Sequence, residues 1–141
     1  MLKAIKDVIN MKQVQIETKK RSELLDITQK IKTMIPKYLD AGICVIFVPH
    51  TTAGITINEG ADPNVQHDIT DQLDQLVPWH QPFFRHSEGN SAAHIKASLM
   101  GSSVSILIED GKIKLGTWQK IFFMEFDGPR RRRIWVAFNS T

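Results

Sequence analysis

A chain of 141 residues, 42% hydrophobic and 23% charged, can bury one sizeable core, and no apolar run in it approaches the ~18 residues a membrane-spanning helix needs. The net charge of +3 gives no reason to expect a nucleic-acid surface, and the opening Met1-Leu2-Lys3-Ala4-Ile5-Lys6-Asp7 is charged where an export signal is apolar, so a cytoplasmic protein is expected. The single cysteine, Cys44, lies in Ile43-Cys44-Val45-Ile46-Phe47-Val48 and reads as a small buried apolar residue rather than a reactive thiol.

In chain order, residues 12–18 alternate polar and apolar side chains, which predicts a half-buried strand. Residues 22–27 predict a second short strand after a turn at Lys19-Lys20-Arg21. Thr28 can cap a helix reaching about Leu39, with Ile31, Ile35 and Tyr38 or Leu39 as its apolar stripe and Gly42 at its end. Pro36 conflicts with that helix, because proline removes a donor. The apolar, β-branched run 43–48 predicts a strand buried on both faces, with His50 just beyond it. Residues 54–60 alternate again. Asp62-Pro63 is a helix start, with Val65, Ile69, Leu73 and Leu76 as the stripe and Pro78 as the stop. The following loop holds Trp79, Phe83 and Phe84, more aromatic surface than a plain linker needs, and is expected to pack over something, for instance a neighbouring subunit.

Asn90 or Ser91 caps a helix to about Met100. Strands are predicted over 103–109 and 118–126, with a tight turn at Asp110-Gly111. In the last strand Arg132, Ile134, Val136 and Phe138 form one face and Arg131, Arg133, Trp135 and Ala137 the other. Seven or eight strands with three helices make an α+β fold: a single domain, a largely antiparallel mixed β-sheet with the helices packed on it. The run Arg130-Arg131-Arg132-Arg133 reads as a solvated face or a nonspecific anion patch.

The chemistry concentrates in His86-Ser87-Glu88-Gly89-Asn90-Ser91-Ala92-Ala93-His94, with His50 in His50-Thr51-Thr52 far upstream. If the fold joins His50, His86 and His94, three neutral imidazoles suit zinc, which takes three protein ligands and a water in many catalytic sites. The spacing of His86 and His94 matches no named metal motif, so a pair of hydrogen-bonded histidines is the competing reading. His67 and His80 are weaker candidates. Gly89 permits a tight turn before the helix, whose first amides favour an anion, with Glu88 beside it as a base or as a hydrogen-bond partner to a metal ligand; a plain capped turn is the competing and simpler reading. Asn58, Glu59 and Asp62 could hold Mg²⁺ through oxygen, although Asp62 is already explained as a cap. Thr51 and Thr52 could bind phosphate or make a turn. Trp118 and Gln119 could line a pocket or start a strand.

Four segments in this order, His50-Thr51-Thr52-Ala53-Gly54-Ile55-Thr56-Ile57-Asn58-Glu59, the His86 to His94 stretch, Leu115-Gly116-Thr117-Trp118-Gln119 and Glu125-Phe126-Asp127-Gly128-Pro129-Arg130, resemble the YjbQ family, also called the secondary thiamine-phosphate synthase family. The resemblance covers nearly the whole chain from about residue 12, and the one departure is Gly54, where that family often has alanine. It implies a single YjbQ-like domain over residues 1–141, a homotrimer, and a divalent metal, zinc, on His50, His86 and His94, with Mg²⁺ an option beside a diphosphate. It marks Asn58, Glu59, Glu88, Asn90, Trp118 and Gln119 as motif positions without assigning their roles; by residue type Glu59, Glu88 and Asn90 are the catalytic candidates, and Thr51, Thr52, Asn58, Trp118, Gln119 and Arg130 the substrate-binding candidates. The implied activity is a weak or secondary one: joining hydroxymethylpyrimidine diphosphate to thiazole phosphate, with release of pyrophosphate. The competing expectations are a metal-dependent hydrolase of a phosphorylated metabolite and a non-catalytic trimeric metal-binding scaffold. No nucleic acid and no membrane is expected as a partner.

Overall fold

The structure, a computed structural model, describes residues 10–141. Its strands are β1 (Asn10–Glu17), β2 (Glu23–Asp26), β3 (Gly42–Phe47), β4 (Ala53–Glu59), β5 (Ser103–Glu109), β6 (Lys112–Ile113), β7 (Gln119–Glu125) and β8 (Arg131–Ser140). Its helices are α1 (Thr28–Lys32), α2 (Pro63–Leu76) and α3 (Ser91–Met100). The α+β class holds, with the strands divided into two sheets, β1-β8-β3-β5-β6 and β2-β7-β4. Every strand pairing among the described residues is antiparallel.

Burial shows why there are two sheets. Ile46, Ile106, Ile134 and Val136 of the large sheet meet Ile55, Ile121 and Phe123 of the small one in the main core. On its other side the small sheet offers Met124, with Phe126 just beyond it, to Leu73 of α2 and to Ala93 and Ala97 of α3. The layers are therefore large sheet, small sheet, helices, with α1 adding Ile31 to the core between the sheets. Each fully buried Ile or Phe side chain contributes roughly 1.5–3 kcal/mol by leaving water.

The strand buried on both faces is β7, not β3. Ile121, Phe122, Phe123 and Met124 are all buried because β7 is the centre strand of the middle layer. In β3, Cys44 and Ile46 point into the core while Val45 and Phe47 are 39% and 40% exposed, because the outer face of the large sheet has no layer over it. An apolar run does not reveal whether its second face is covered.

α1 is a single turn and a half rather than a helix to Leu39. Ile35 precedes Pro36 and is driven out of the helical region, so the helix has ended by then. Thr28 is not its cap: the Thr28 hydroxyl accepts the Ile121 amide of β7 at 2.8 Å, and Asp26 Oδ1 accepts the Thr28 amide at 2.9 Å. Leu39 is buried and Tyr38 exposed. Gly42 opens β3, where a Cβ would run into the Asn139 carbonyl. α2 starts as expected, with Asp62 Oδ1 accepting the Asn64 amide at 2.9 Å and Pro63 in its first turn. Asp110 and Gly111 have φ of 53° and 72°, the paired left-handed geometry of a tight hairpin turn between β5 and β6. In the aromatic loop Trp79 packs into the second core under the Arg21 guanidinium, 4.3 Å from the ring centre, while Phe83 is exposed and meets Phe84 edge-on. Among the described residues no helix is long and apolar enough to cross a membrane.

Candidate functional site

A cleft of about 730 Å³ opens where the end of β3, the start of α3 and the turn before β8 converge. The chain leaves β3 through Pro49 and His50 and returns as β4, which places His50, Thr51 and Thr52 on one wall. His86 and Glu88 come from the loop before α3, and Gly89, with φ of 74°, makes the turn that brings them in. Asn90 and His94 come from the start of α3, Asp127 and Arg130 from the turn before β8, and Arg132 from β8 itself. Eight of the twelve residues singled out from the sequence thus meet in one place.

The imidazoles are not equivalent. His86 and His94 pack edge to face, their ring centres 5.3 Å apart at 82°. His50 Nε2 accepts the backbone N–H of Arg133 at 3.0 Å. Burial lowers the His50 pKa below its usual value, and the Arg132 and Arg133 charges lower it further, so the ring is held neutral. Neutral imidazole nitrogens suit zinc, but as placed they form a pair and an outlier: among the described residues no three His, Cys, Asp or Glu side chains converge on one point. His67 pairs with Asp71 on the exposed side of α2 at 3.3 Å, and His80 is exposed; neither lines the cleft.

Asn90 stands at the N-cap position of α3 without capping it through its side chain. Its Nδ2 donates instead to Asp127 Oδ2 at 2.8 Å, an orientation forced by a carboxylate that can only accept. Asn90 Oδ1 is left as the one buried side-chain polar atom among the described residues without a partner. Asp127 also orients Arg130, whose Nη2 donates to its Oδ2 at 3.0 Å and whose Nε donates to its carbonyl at 2.8 Å. Further guanidinium donors remain for a ligand.

Asn58, Glu59, Trp118 and Gln119 do not join this cleft in one chain. In the β4–β7 ladder Ala53 pairs with Glu125 at the cleft end and Glu59 with Gln119 at the other, about 20 Å away at ~3.3 Å per residue. There they shape turns. Glu59 Oε2 accepts the Ala61 and Asp62 amides at 2.7 and 3.2 Å, Asn58 Oδ1 accepts the Glu59 amide at 2.7 Å, and Gln119 Oε1 accepts the Gly116 amide at 2.8 Å. Trp118 is exposed.

The four-arginine run is not one solvated face either. Arg132 is 4% exposed and lies against Glu125, which is fully buried. Arg132 Nε donates to both carboxylate oxygens, at 2.8 and 3.1 Å, and its Nη2 donates to Thr52 Oγ1 at 2.8 Å. Burial pushes the Glu125 carboxyl up from its usual range, and the hydrogen bonds from Arg132 and Thr18 oppose that. The sequence signal for this pair was present: Arg132 shares a face with Ile134, Val136 and Phe138, and Glu125 follows Ile121 to Met124 in a continuous apolar run. A charge on an apolar face of one strand calls for an opposite charge on the apolar face of another.

The UPF0047 protein YjbQ-like family profile matches residues 12–141. The chain belongs to that family. A UPF0047 protein of Methanocaldococcus jannaschii is 60% identical over 125 residues, 86% of this chain and 88% of that protein. The UPF0047 protein YugU of Bacillus subtilis is 46% identical over 127 residues, 89% of this chain and 96% of its own. Among solved structures, an uncharacterised YjbQ/UPF0047-family protein of Clostridium acetobutylicum aligns with a TM-score of 0.87 at 51% identity, covering 90% of this chain and 98% of its own. A YbjQ-like protein of unknown function from Sulfolobus solfataricus aligns with a TM-score of 0.88 at 31% identity, covering 94% and 98%.

Proposed function

We propose that this YjbQ-like protein is a cytoplasmic metal-binding enzyme acting on phosphorylated small molecules, with thiamine-phosphate synthase-like transfer as its chemistry. The observation that carries this reading is the gathering of three imidazoles, a carboxylate, an arginine and a helix start in one cleft. In the proposed reaction the thiazole nitrogen attacks the pyrimidine methylene carbon as the bond from that carbon to the diphosphate oxygen breaks. The electron pair leaves with pyrophosphate.

Charge on the departing diphosphate is the main barrier, and the chain offers two ways to meet it. Arg130, pre-oriented by Asp127, supplies charged donors without having to reorganise. The first amides of α3 aim donors and the positive end of the helix dipole at the same region. Thr51 and Thr52 add hydroxyls on the facing wall, and Glu88 is available to a reacting proton. A zinc ion on His86 and His94, with His50 across the cleft, would neutralise phosphate oxygens, and Mg²⁺ would travel with the diphosphate.

The resemblance to a trimeric family fits the outer face of the large sheet. Met11, Val45, Phe47 and Leu107 are exposed there, and Phe47 stacks on Trp135 with ring centres 5.7 Å apart. An apolar face of this kind is what a homotrimer would bury. Asn58, Glu59, Trp118 and Gln119 would reach a cleft only if it belonged to a neighbouring copy.

Metal analysis of the purified protein, followed by incubation with the two thiamine precursors, tests the proposal. Stoichiometric zinc that disappears in His86→Ala/His94→Ala, with pyrophosphate and thiamine phosphate formed together, is the expected result. Inorganic phosphate alone would instead support the hydrolase, with Glu88 as base. A bound metal with no turnover and no stabilisation by any phosphate would leave the scaffold.

A further inference from the structure

We propose that the buried Arg132–Glu125 pair is a positioning device that holds the two walls of the cleft, His50-Thr51-Thr52 and the turn at residues 127–130, at a fixed separation. The ligand in the test below rests on the phosphate reading above; the geometry does not.

The network runs from wall to wall. Arg132 Nη2 donates to Thr52 Oγ1 at 2.8 Å and to the Thr52 carbonyl at 3.3 Å, while its Nε grips both Glu125 oxygens. On the other side Glu125 Oε1 accepts the Thr18 hydroxyl at 3.0 Å. Thr18 Oγ1 in turn accepts the Arg130 amide at 3.0 Å, and the Thr18 amide donates to the Arg130 carbonyl at 3.0 Å. Thr52 and Arg130 line the cleft, whereas Thr18 and Glu125 do not. The Phe126 amide adds a direct tie to the Thr52 carbonyl at 3.2 Å.

Stability is a poor explanation for such a pair. Removing two charges from water offsets most of their attraction, and an apolar pair of similar volume is commonly as stable or more so. What an apolar pair cannot do is fix directions. The planar guanidinium presents its donors in a rigid fork, so seating it on Glu125 determines where Thr52 must lie. His50 is two residues from Thr52, and its ring takes the amide of Arg133, next to Arg132. One buried contact thereby sets both the histidine wall and the arginine wall.

Thr18→Val in the full chain tests this, because the removed hydroxyl cannot touch a ligand. Affinity for inorganic pyrophosphate, by titration calorimetry, should fall about tenfold, the loss typical when a group behind a ligating residue is removed. The His50 ring resonances, on the opposite wall, should shift. Arg132→Met/Glu125→Leu should keep or raise Tm, as expected if the pair is not there for stability. A purely structural network would lower Tm in Thr18→Val and leave its pyrophosphate affinity and His50 resonances unchanged, which overturns the proposal. If the wild type binds no pyrophosphate, the phosphate reading fails. The positioning role is then decided by the His50 resonances in Thr18→Val, which removes no charge near that ring: shifted, it stands; unmoved, it falls.

Discussion

Replacing Gly128 with alanine probes the packing beneath the cleft with a single methyl group. A Cβ at Gly128 would lie 2.8 Å from Glu125 Oε1, 2.8 Å from Thr18 Oγ1 and closer still to the Lys20 carbonyl. Ordinary contact begins near 3.4 Å, so each side-chain oxygen must retreat by about 0.6 Å. The Thr18–Glu125 hydrogen bond is already 3.0 Å long, and a retreat of that size in either partner breaks it. The Lys20 carbonyl is backbone and has little room to move, because the next residue, Arg21, accepts the Gly128 amide at 3.1 Å. Overpacking of this kind costs about 1–3 kcal/mol, and losing a hydrogen bond to a buried charged group adds about 1.5–3. The expected loss is about 2.5–6 kcal/mol, a large share of the roughly 5–15 kcal/mol that a domain has in total. Urea unfolding reads it as a lower midpoint at constant m-value. A loss under about 0.5 kcal/mol, the range of a neutral surface change, would refute the packing account.

Lys96 is 2% exposed and pairs with the half-exposed Asp74, so Asp74→Ala, which leaves a buried donor unsatisfied, should cost about 1–3 kcal/mol, while Lys96→Met should be neutral or stabilising; equal losses in urea unfolding would count against this. Burial and the Arg132 and Arg133 charges hold the folded His50 below the ordinary histidine pKa, so its contribution is complete above that ordinary value and is lost as pH falls through the lowered folded value; an NMR titration placing folded His50 above the ordinary value would contradict this account. Protonation of Nε2 would also remove the acceptor for the Arg133 amide, whose resonance should move with the ring. The Cys44 thiol is pushed up to about 12 by burial, so a thiol reagent at pH 8 should label native protein only as fast as it unfolds; immediate labelling would place Cys44 at the surface.

Much of the cleft was legible from residue types at particular places. Gly89 before a helix start, histidines on either side of it and His50 after a strand identified their neighbourhood, because turn chemistry and helix starts are local properties. Asn90 was legible as a terminus but not as a ligand of Asp127, because the partner lies 37 residues away. Glu59 lies away from the cleft of its own chain for the opposite reason. Glu59 and His50 are close in sequence, but β4 is extended and carries its last residue to the far end of the ladder. Arg132 looked like part of a charge run, and its burial depended on a carboxylate arriving from β7.

By itself the sequence determined the strand and helix types, the Asp62-Pro63 start, the Asp110-Gly111 turn and the two faces of β8, since each depends on side chains within a few residues. Only the tertiary structure decided that the strands divide into two sheets, that β7 rather than β3 is covered on both sides, and that Arg132 and Glu125 meet. A strand's period tells which side chains share a face, whereas what covers that face is set by residues distant in the chain.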